Sequence, residues 1–427
     1  MQRYEAYRDS GVEWIGEVPE GWEIRRLKTL AVNDIRKTPT NQGAYIGLEN
    51  IQPWTQRFLE SAECSNDPEG NYYDEDCVLF GKLRPYLAKV FVPTESGQCS
   101  SEFLILRSEL LSLRYLSYSL INGRFIDEVN SLTYGAKMPR ASWETIGSIP
   151  SPLPSAREQA AIADYLDEKT AEIDSIVSQT ERSIELLREY RKSVISEAVT
   201  KGLDPDAPMK DSGVEWIGEI PAGWEIVKSR YVIEDITDID HWMPDSVDAG
   251  YPYVAISDLK PRSSLIAFTD CKQISKSDFQ KLSLKSMPRK GDVILARYAT
   301  IGTSCLVDSD EPFVVSYSCV TVTPRDERLD GRYFDYWLKS EPCGRELDRF
   351  TKSNTQGNVG KESLFQMKMI LPPMSTQRRI ADYLDAKTAE IDSLIADKQR
   401  QVELLKEYRK SLISEAVTGK FKVPGLE

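Results

Sequence analysis

The chain of 427 residues holds one histidine, His241. A single imidazole, next to Trp242 in an expected loop, supplies neither a metal-ligand cluster nor, unaided, a catalytic triad. Cys64, Cys77, Cys99, Cys271, Cys305, Cys319 and Cys343 are odd in number, contain no Cys-x-x-Cys pair and follow no pattern common to the two halves. That excludes a zinc site or disulfide frame and leaves buried thiols of a reducing compartment. Long apolar runs are missing too, so no membrane span is expected. Met1 to Asp9 lacks the apolar stretch of a signal peptide, and a cytoplasmic protein is expected. Positive charge is also short: 54 Lys and Arg stand against 67 Asp and Glu, a net charge of −13. Bulk electrostatics therefore cannot hold a polyanion, and any affinity for nucleic acid must come from local basic patches or from partner chains.

Chemistry-bearing motifs are absent as well. There is no Asn-Pro-Pro-Tyr or Asp-Pro-Pro-Tyr motif of adenine methylation and no glycine-rich cofactor loop after a strand. Gly357-Asn-Val-Gly-Lys361-Glu362 copies part of a phosphate-binding loop, but the spacing is wrong and no Ser or Thr follows the lysine. Asp74/Asp76 and Asp308/Asp310 lack the lysine or base of a nuclease and read as solvated loop carboxylates. No catalytic residue, cofactor or metal is expected.

What the chain does have is written twice. Asp9-Ser-Gly-Val-Glu-Trp-Ile-Gly-Glu17 returns as Asp211 to Glu219, Gly21-Trp-Glu-Ile24 returns as Gly223 to Ile226, and Ile162 to Thr200 returns as Ile380 to Thr418 with 28 of 39 positions identical. The stretches between do not match, and the second is the longer. Four pieces result: 1–153, 154–202, 203–371 and 372–427. Near-identical frames around unrelated inserts imply one scaffold carrying two different readers.

The repeated tails are helical. Ile162, Leu166, Lys169, Ile173, Ile176, Thr180, Ile184, Leu187, Tyr190, Val194 and Ala198 recur at steps of three and four, as a coiled-coil seam requires. Ile380, Leu384, Ile391, Leu394, Val402, Leu405, Tyr408, Leu412 and Ala416 repeat them. Ser155 with Glu158 forms a capping box behind Pro152 and Pro154, and Gly202 and Gly419 stop the helices. The second front segment begins soon after Gly202, so the second helix is expected to run back antiparallel to the first, giving pseudo-two-fold symmetry. A parallel pair would need a long return linker, and none exists.

Each insert reads as mixed α+β. Tyr45 to Ile51, Cys77 to Phe80 and Ser101 to Leu106 read as strands, matched by Tyr253 to Leu259, Asp292 to Leu295 and Ser318 to Thr323. Basic turns follow at Gly81-Lys-Leu-Arg84 and Ala296-Arg-Tyr-Ala299. Helices over Leu113 to Glu128 and Arg332 to Phe350 come next. Polar exit loops, Tyr134 to Arg140 and Ser353 to Asn358, end the inserts.

The chain resembles the specificity subunits of type I restriction–modification enzymes over essentially its whole length. The resemblance rests on the Asp-Ser-Gly-Val-Glu-Trp-Ile-Gly-Glu-x-Pro-x-Gly-Trp openings at 9–22 and 211–224. It also rests on the Pro-rich entries ending in Gln159 and Gln377, on Ile-Ala-Asp-Tyr-Leu-Asp at 162–167 and 380–385, and on Tyr-Arg-Lys-Ser near each helix end. It implies a non-catalytic subunit that binds double-stranded DNA. The inserts (with their front segments, 1–153 and 203–371) would be two dissimilar target-recognition domains, each reading one half of a split asymmetric sequence. The helices (154–202 and 372–427) would be an antiparallel coiled-coil spacer. Two methyltransferase (modification) subunits and translocating restriction subunits would join it. Residue patterns alone leave a protein-binding scaffold or an unrecognised enzyme as rival readings.

Base reading calls for bidentate side chains, Arg or Lys on guanine and Asn or Gln on adenine. In the first insert this selects Asn41, Gln42, Lys82, Arg84, Lys137 and Arg140; in the second it selects Arg297, Lys352, Asn354, Gln356 and Asn358. Lys272, Lys276, Lys285 and Lys290 are expected on phosphates.

Overall fold

The computed structural model describes residues 2–37, 44–60, 70–135, 137–259, 268–298, 300–351 and 358–426. They form two compact units, one of Met1–Glu181 with Arg400–Glu427, the other of Arg182–Gln399. Each contains one insert and one stretch of each long helix. The helices are Ala156–Lys201 and Met374–Val417.

In the first unit the central sheet is antiparallel, ordered Val32–Asn33, Phe103–Arg107, Val78–Gly81 and Val90–Phe91. Its two central strands, Val78–Gly81 and Phe103–Arg107, bury both faces, which explains their unbroken apolar runs. Val78, Phe80, Leu104 and Leu106 face the helices, while Leu79, Phe103 and Ile105 face a second sheet with Ile46, Tyr73 and Cys99. That second sheet joins Arg36–Lys37, Asn71–Tyr73, Gly97–Cys99 and Ala44–Ile46, the last pair parallel. The expected strand Tyr45 to Ile51 stops at Ile46, because the Asn50 side chain accepts from the Gly47 amide at 2.8 Å and closes a 3-10 turn.

The second unit repeats the design with other residues. Its antiparallel sheet is ordered Ile233–Thr237, Cys319–Pro324, Val293–Ala296 and Ser304–Leu306, and Lys272–Ile274, Tyr251–Val254 and Val314–Val315 form the smaller sheet. Asp258 caps the Ala255 amide at 2.8 Å, as Asn50 does in the first insert. The helix Lys276–Ser283 has no counterpart among the described residues of the first insert. Trp337 and Tyr333 are fully buried here, and each such side chain contributes about 1.5–3 kcal/mol of burial.

Each expected insert helix is split by a capping residue. Leu113–Ile121 and Gly123–Ser131 meet at Asn122, whose side chain caps the Arg124 amide, and Gly331–Leu338 and Glu341–Asp348 are separated by Ser340, which caps Cys343. The first helix of each pair docks on the frame by identical bonds. Tyr115 donates to the Val417 carbonyl in the first unit, as Tyr333 does to Val199 in the second. Arg114 pairs with Asp164 and Asp167, as Arg332 pairs with Asp382 and Asp385. Tyr118 donates to Asp167 and Tyr336 to Asp385. The repeat thus holds at the level of single hydrogen bonds.

The capping box forms: the Ser155 amide donates to Glu158 at 2.9 Å, and Glu158 also accepts from the Trp22 indole at 2.9 Å. Gly202 and Gly419 end the helices with φ of +81° and +69°. A Cβ at Gly419 would lie 2.5 Å from Pro19, and one at Gly202 would lie 3.0 Å from Trp224. Each helix end is therefore packed against the Pro and Trp of a front segment.

Within each unit the two helix stretches run antiparallel. A salt bridge joins them in both: Arg191 to Asp392 at 3.0 Å in the second unit, and Arg409 to Asp174 at 3.1 Å in the first, at repeat-equivalent positions. The seam departs from the expected one at matching places. Ile176 and Leu394, and Tyr190 and Tyr408, are exposed, while Ile395 and Arg191 are buried. Arg191 enters the seam because Asp392 accepts two of its hydrogen bonds, leaving Tyr190 to turn outward.

Candidate nucleic-acid interface

The basic turn and the exit loop of each insert, far apart in sequence, are joined by backbone pairing. In the first insert the Lys82 amide donates to Glu102 at 2.9 Å, the Arg84 amide to Pro139 at 2.7 Å, and the Ala141 amide to Lys82 at 3.0 Å. Tyr134 and Arg140 exchange two bonds at 3.1 and 3.0 Å, which folds the exit loop into a hairpin with Lys137 exposed toward its tip. Lys82, Arg84 and Arg140 therefore share one edge. Arg84 sits in the left-handed region at φ +50° and is exposed. Arg140, also exposed, is held at 2.7 Å by Glu102. Tyr134 and Met138 present large exposed surfaces beside it.

The second insert repeats the pairing with different chemistry. The Arg297 amide donates to Ser318 at 3.0 Å, the Val359 amide donates to Arg297 at 3.2 Å, and Tyr298 bridges Asn358. Asn358 is exposed. The Arg297 guanidinium is instead engaged. It lies 2.9 Å from Asp238, donates to the Tyr317 carbonyl at 3.3 Å, and sits 5.3 Å from the Tyr298 ring centre. Asp238 also takes Lys361. Contact with a base through Arg297 requires it to exchange Asp238 for that base.

Three of the four expected phosphate lysines have local partners: Lys272 donates to the Pro244 carbonyl, Lys285 pairs with Asp240, and Lys290 pairs with Asp308 at 3.0 Å. Lys276 is exposed at the start of its helix. The exposed carboxylate pairs of Lys285 and Lys290 are weak, so a phosphate can replace either carboxylate. Asn41, Gln42, Lys352, Asn354 and Gln356 lie outside the described residues.

Sequence reasoning missed the carboxylates that hold Arg140 and Arg297. Glu102 and Asp238 carry no motif, and only the fold brings them beside Arg140 and Arg297. It also missed an aromatic cluster beside Arg297, where His241 lies 3.9 Å from Tyr317 and Lys281 sits 4.4 Å over Trp242. The neighbouring His241 and Trp242 were the available signal. Burial pushes the Cys77 and Cys319 thiols up to about 11, so neither is a nucleophile at neutral pH. Among the described residues no group of three or more His, Cys, Asp or Glu is arranged to hold a metal ion, and no helix is long and apolar enough to cross a membrane.

Residues 235–404 match the family described as the type I restriction modification DNA specificity domain. The chain is 26% identical to the type I restriction enzyme MjaVIII specificity subunit of Methanocaldococcus jannaschii, over 75% of this chain and 73% of that one. A putative MjaX specificity subunit of the same organism is 24% identical across 96% of both chains. Among solved structures, a chain from a study of complex assembly and conformational transition of the type I R-M system has a TM-score of 0.74 at 18% identity, over 94% of this chain and 98% of that one. The HsdS subunit from Thermoanaerobacter tengcongensis has a TM-score of 0.50 at 19% identity, with the same coverage.

Proposed function

We propose, from the premise that the chain belongs with the specificity subunits of type I restriction–modification enzymes, that it recognises a split and asymmetric DNA target, one half-site per insert. The observation that carries this reading is the duplicated edge: one backbone pairing of turn and exit loop, bearing Lys82, Arg84 and Arg140 in one insert and Arg297, Tyr298 and Asn358 in the other. A common frame with different reading groups is what a bipartite, non-palindromic target needs. The subunit itself does no chemistry. The recognition domains span 1–153 and 203–371, and the spacer segments span 154–202 and 372–427.

Arg84 and Arg140 suit guanine, and Asn358 suits adenine. Asn41, Gln42, Lys137, Lys352, Asn354 and Gln356 are assigned to base reading on residue type and loop position. Lys272, Lys276, Lys285 and Lys290 serve phosphates. Two readers on one face of B-DNA stand about 10 bp apart centre to centre, which leaves a gap of about 6–8 bp between short half-sites.

The spacer also explains two methyltransferase partners. In the first unit Ile176, Leu404 and Tyr408 are exposed on the helices, and in the second their repeat equivalents Leu394, Leu186 and Tyr190 are exposed. Two equal apolar patches fit two copies of one subunit. Restriction subunits join that assembly in the cytoplasm. The net charge of −13 makes partner cations necessary for tight binding.

The test is half-site selectivity of the chain assembled with its methyltransferase. Arg84→Ala with Arg140→Ala relaxes one half-site by about 1–3 kcal/mol per lost base contact and leaves the other intact, and Asn358→Ala does the reverse. Equal weakening at both half-sites sinks the assignment.

A further inference from the structure

Among the described residues only four non-glycine residues have positive φ, and all lie in the first insert: Trp54 at +66°, Gln56 at +60°, Arg84 at +50° and Ala88 at +45°. A bulky residue in this region is a genuine outlier, held there only when its surroundings over-determine it. Here they do. The Gln52 amide donates to Arg57 at 2.9 Å and closes the loop Gln52–Arg57, and the Gln56 side chain accepts from Ser117 at 2.9 Å.

One side of that loop is fastened to the spacer helices. Arg57 pairs with Asp174 at 3.1 Å, and the same carboxylate holds Arg409 at 3.1 Å. Arg409 in turn donates to the Trp54 carbonyl, and the Lys410 ammonium lies 3.9 Å from the centre of the Trp54 ring. The loop and the two helix stretches enclose a cleft of about 590 Å³. The other side reaches the reader: the Trp54 amide donates to Ala88 at 3.3 Å, and Ala88 closes the turn that begins at Arg84. A continuous line of contacts therefore runs from the helix pair through Trp54 to the reading edge.

We propose, on the bipartite reading above, that the loop Gln52–Arg57 is a strut that fixes the first reader against the spacer, with Trp54 and Arg57 setting how strictly the gap between half-sites is measured. They act as positioning residues and touch no base. In the second unit the equivalent pair, Arg191 and Asp392, joins the two helix stretches, and only glycines have positive φ among its described residues.

The experiment uses the full chain assembled with its methyltransferase. It measures methylation of duplexes carrying both half-sites at the native gap and at gaps one base pair longer or shorter. Trp54→Ala with Arg57→Ala raises the ratio of off-gap to native-gap methylation about tenfold, the scale of a lost ion pair plus a cation–π contact. Arg57→Ala alone, at a half-exposed side chain that does not threaten folding, raises it about threefold. Arg57→Lys restores most of the discrimination, and base preference within both half-sites stays unchanged. An unchanged ratio in folded Arg57→Ala overturns the strut, as does altered base preference at the original gap. If the double variant does not fold, Arg57→Ala decides. A wild-type target without a gap overturns the bipartite reading itself, a result distinct from a rigid gap in the variants.

Discussion

Breaking the Arg191–Asp392 pair will cost more than an ordinary surface salt bridge. The guanidinium meets the carboxylate through three contacts of 3.0, 3.2 and 3.1 Å, with side-chain exposures of 11% and 26%. Asp392→Ala strands a nearly buried guanidinium and costs about 3 kcal/mol, the lower end of the range for fully buried pairs because the carboxylate keeps some solvent. Arg191→Ala strands the wetter partner and costs about 2 kcal/mol. Removing both leaves no orphaned charge, so the double variant loses about 3 kcal/mol and the coupling is about 2 kcal/mol. Replacement by Met and Leu is close to neutral, since a buried pair repays little more than its own desolvation. Two units make global unfolding composite, so urea titrations belong beside hydrogen exchange in both helices near residues 191 and 392. Additive single-variant losses would refute the argument, as would losses below about 0.5 kcal/mol, the surface-pair range.

Two further outcomes follow from the frame. Gly419→Ala destabilises more than Gly202→Ala, about 2–4 against 1–2 kcal/mol, because both demand a left-handed residue but the new Cβ lies 2.5 Å from Pro19 in one case and 3.0 Å from Trp224 in the other; thermal melting of the two variants ranks them. Gln377→Ala costs about 2–4 kcal/mol, because one fully buried amide caps the Asp330 amide at 2.9 Å and the Arg328 and Pro372 carbonyls at 2.9 and 2.8 Å. Gln377→Glu restores little by the same melting assay, since a carboxylate cannot donate to the two carbonyls.

The repeat made much of this legible. Gly202, Gly419, Ser155 and Glu158 act as caps, and the apolar runs around Val78 and Val293 are strands, because these are local signals. The seam was misread at Ile176 and Tyr190, since a heptad count has no place for a buried arginine whose partner lies on the other helix. The break at Asn122 was hidden because a capping side chain and a mid-helix side chain look alike until the backbone turns. At the interface, residue type selected Arg84, Arg140 and Arg297 alike, while the pairing of Arg297 with Asp238 is a long-range contact that residue type does not carry. Trp54 was invisible for the same reason: its importance lies in φ and in contacts with helices distant in sequence.

The central claim is that two unlike readers on one duplicated frame recognise one split target. Methylation mapping of a genome carrying this chain and its methyltransferase tests it most directly. The account predicts a single motif of two short, different half-sites separated by an unspecified gap of about 6–8 bp. A continuous motif, or a palindromic one, would contradict it.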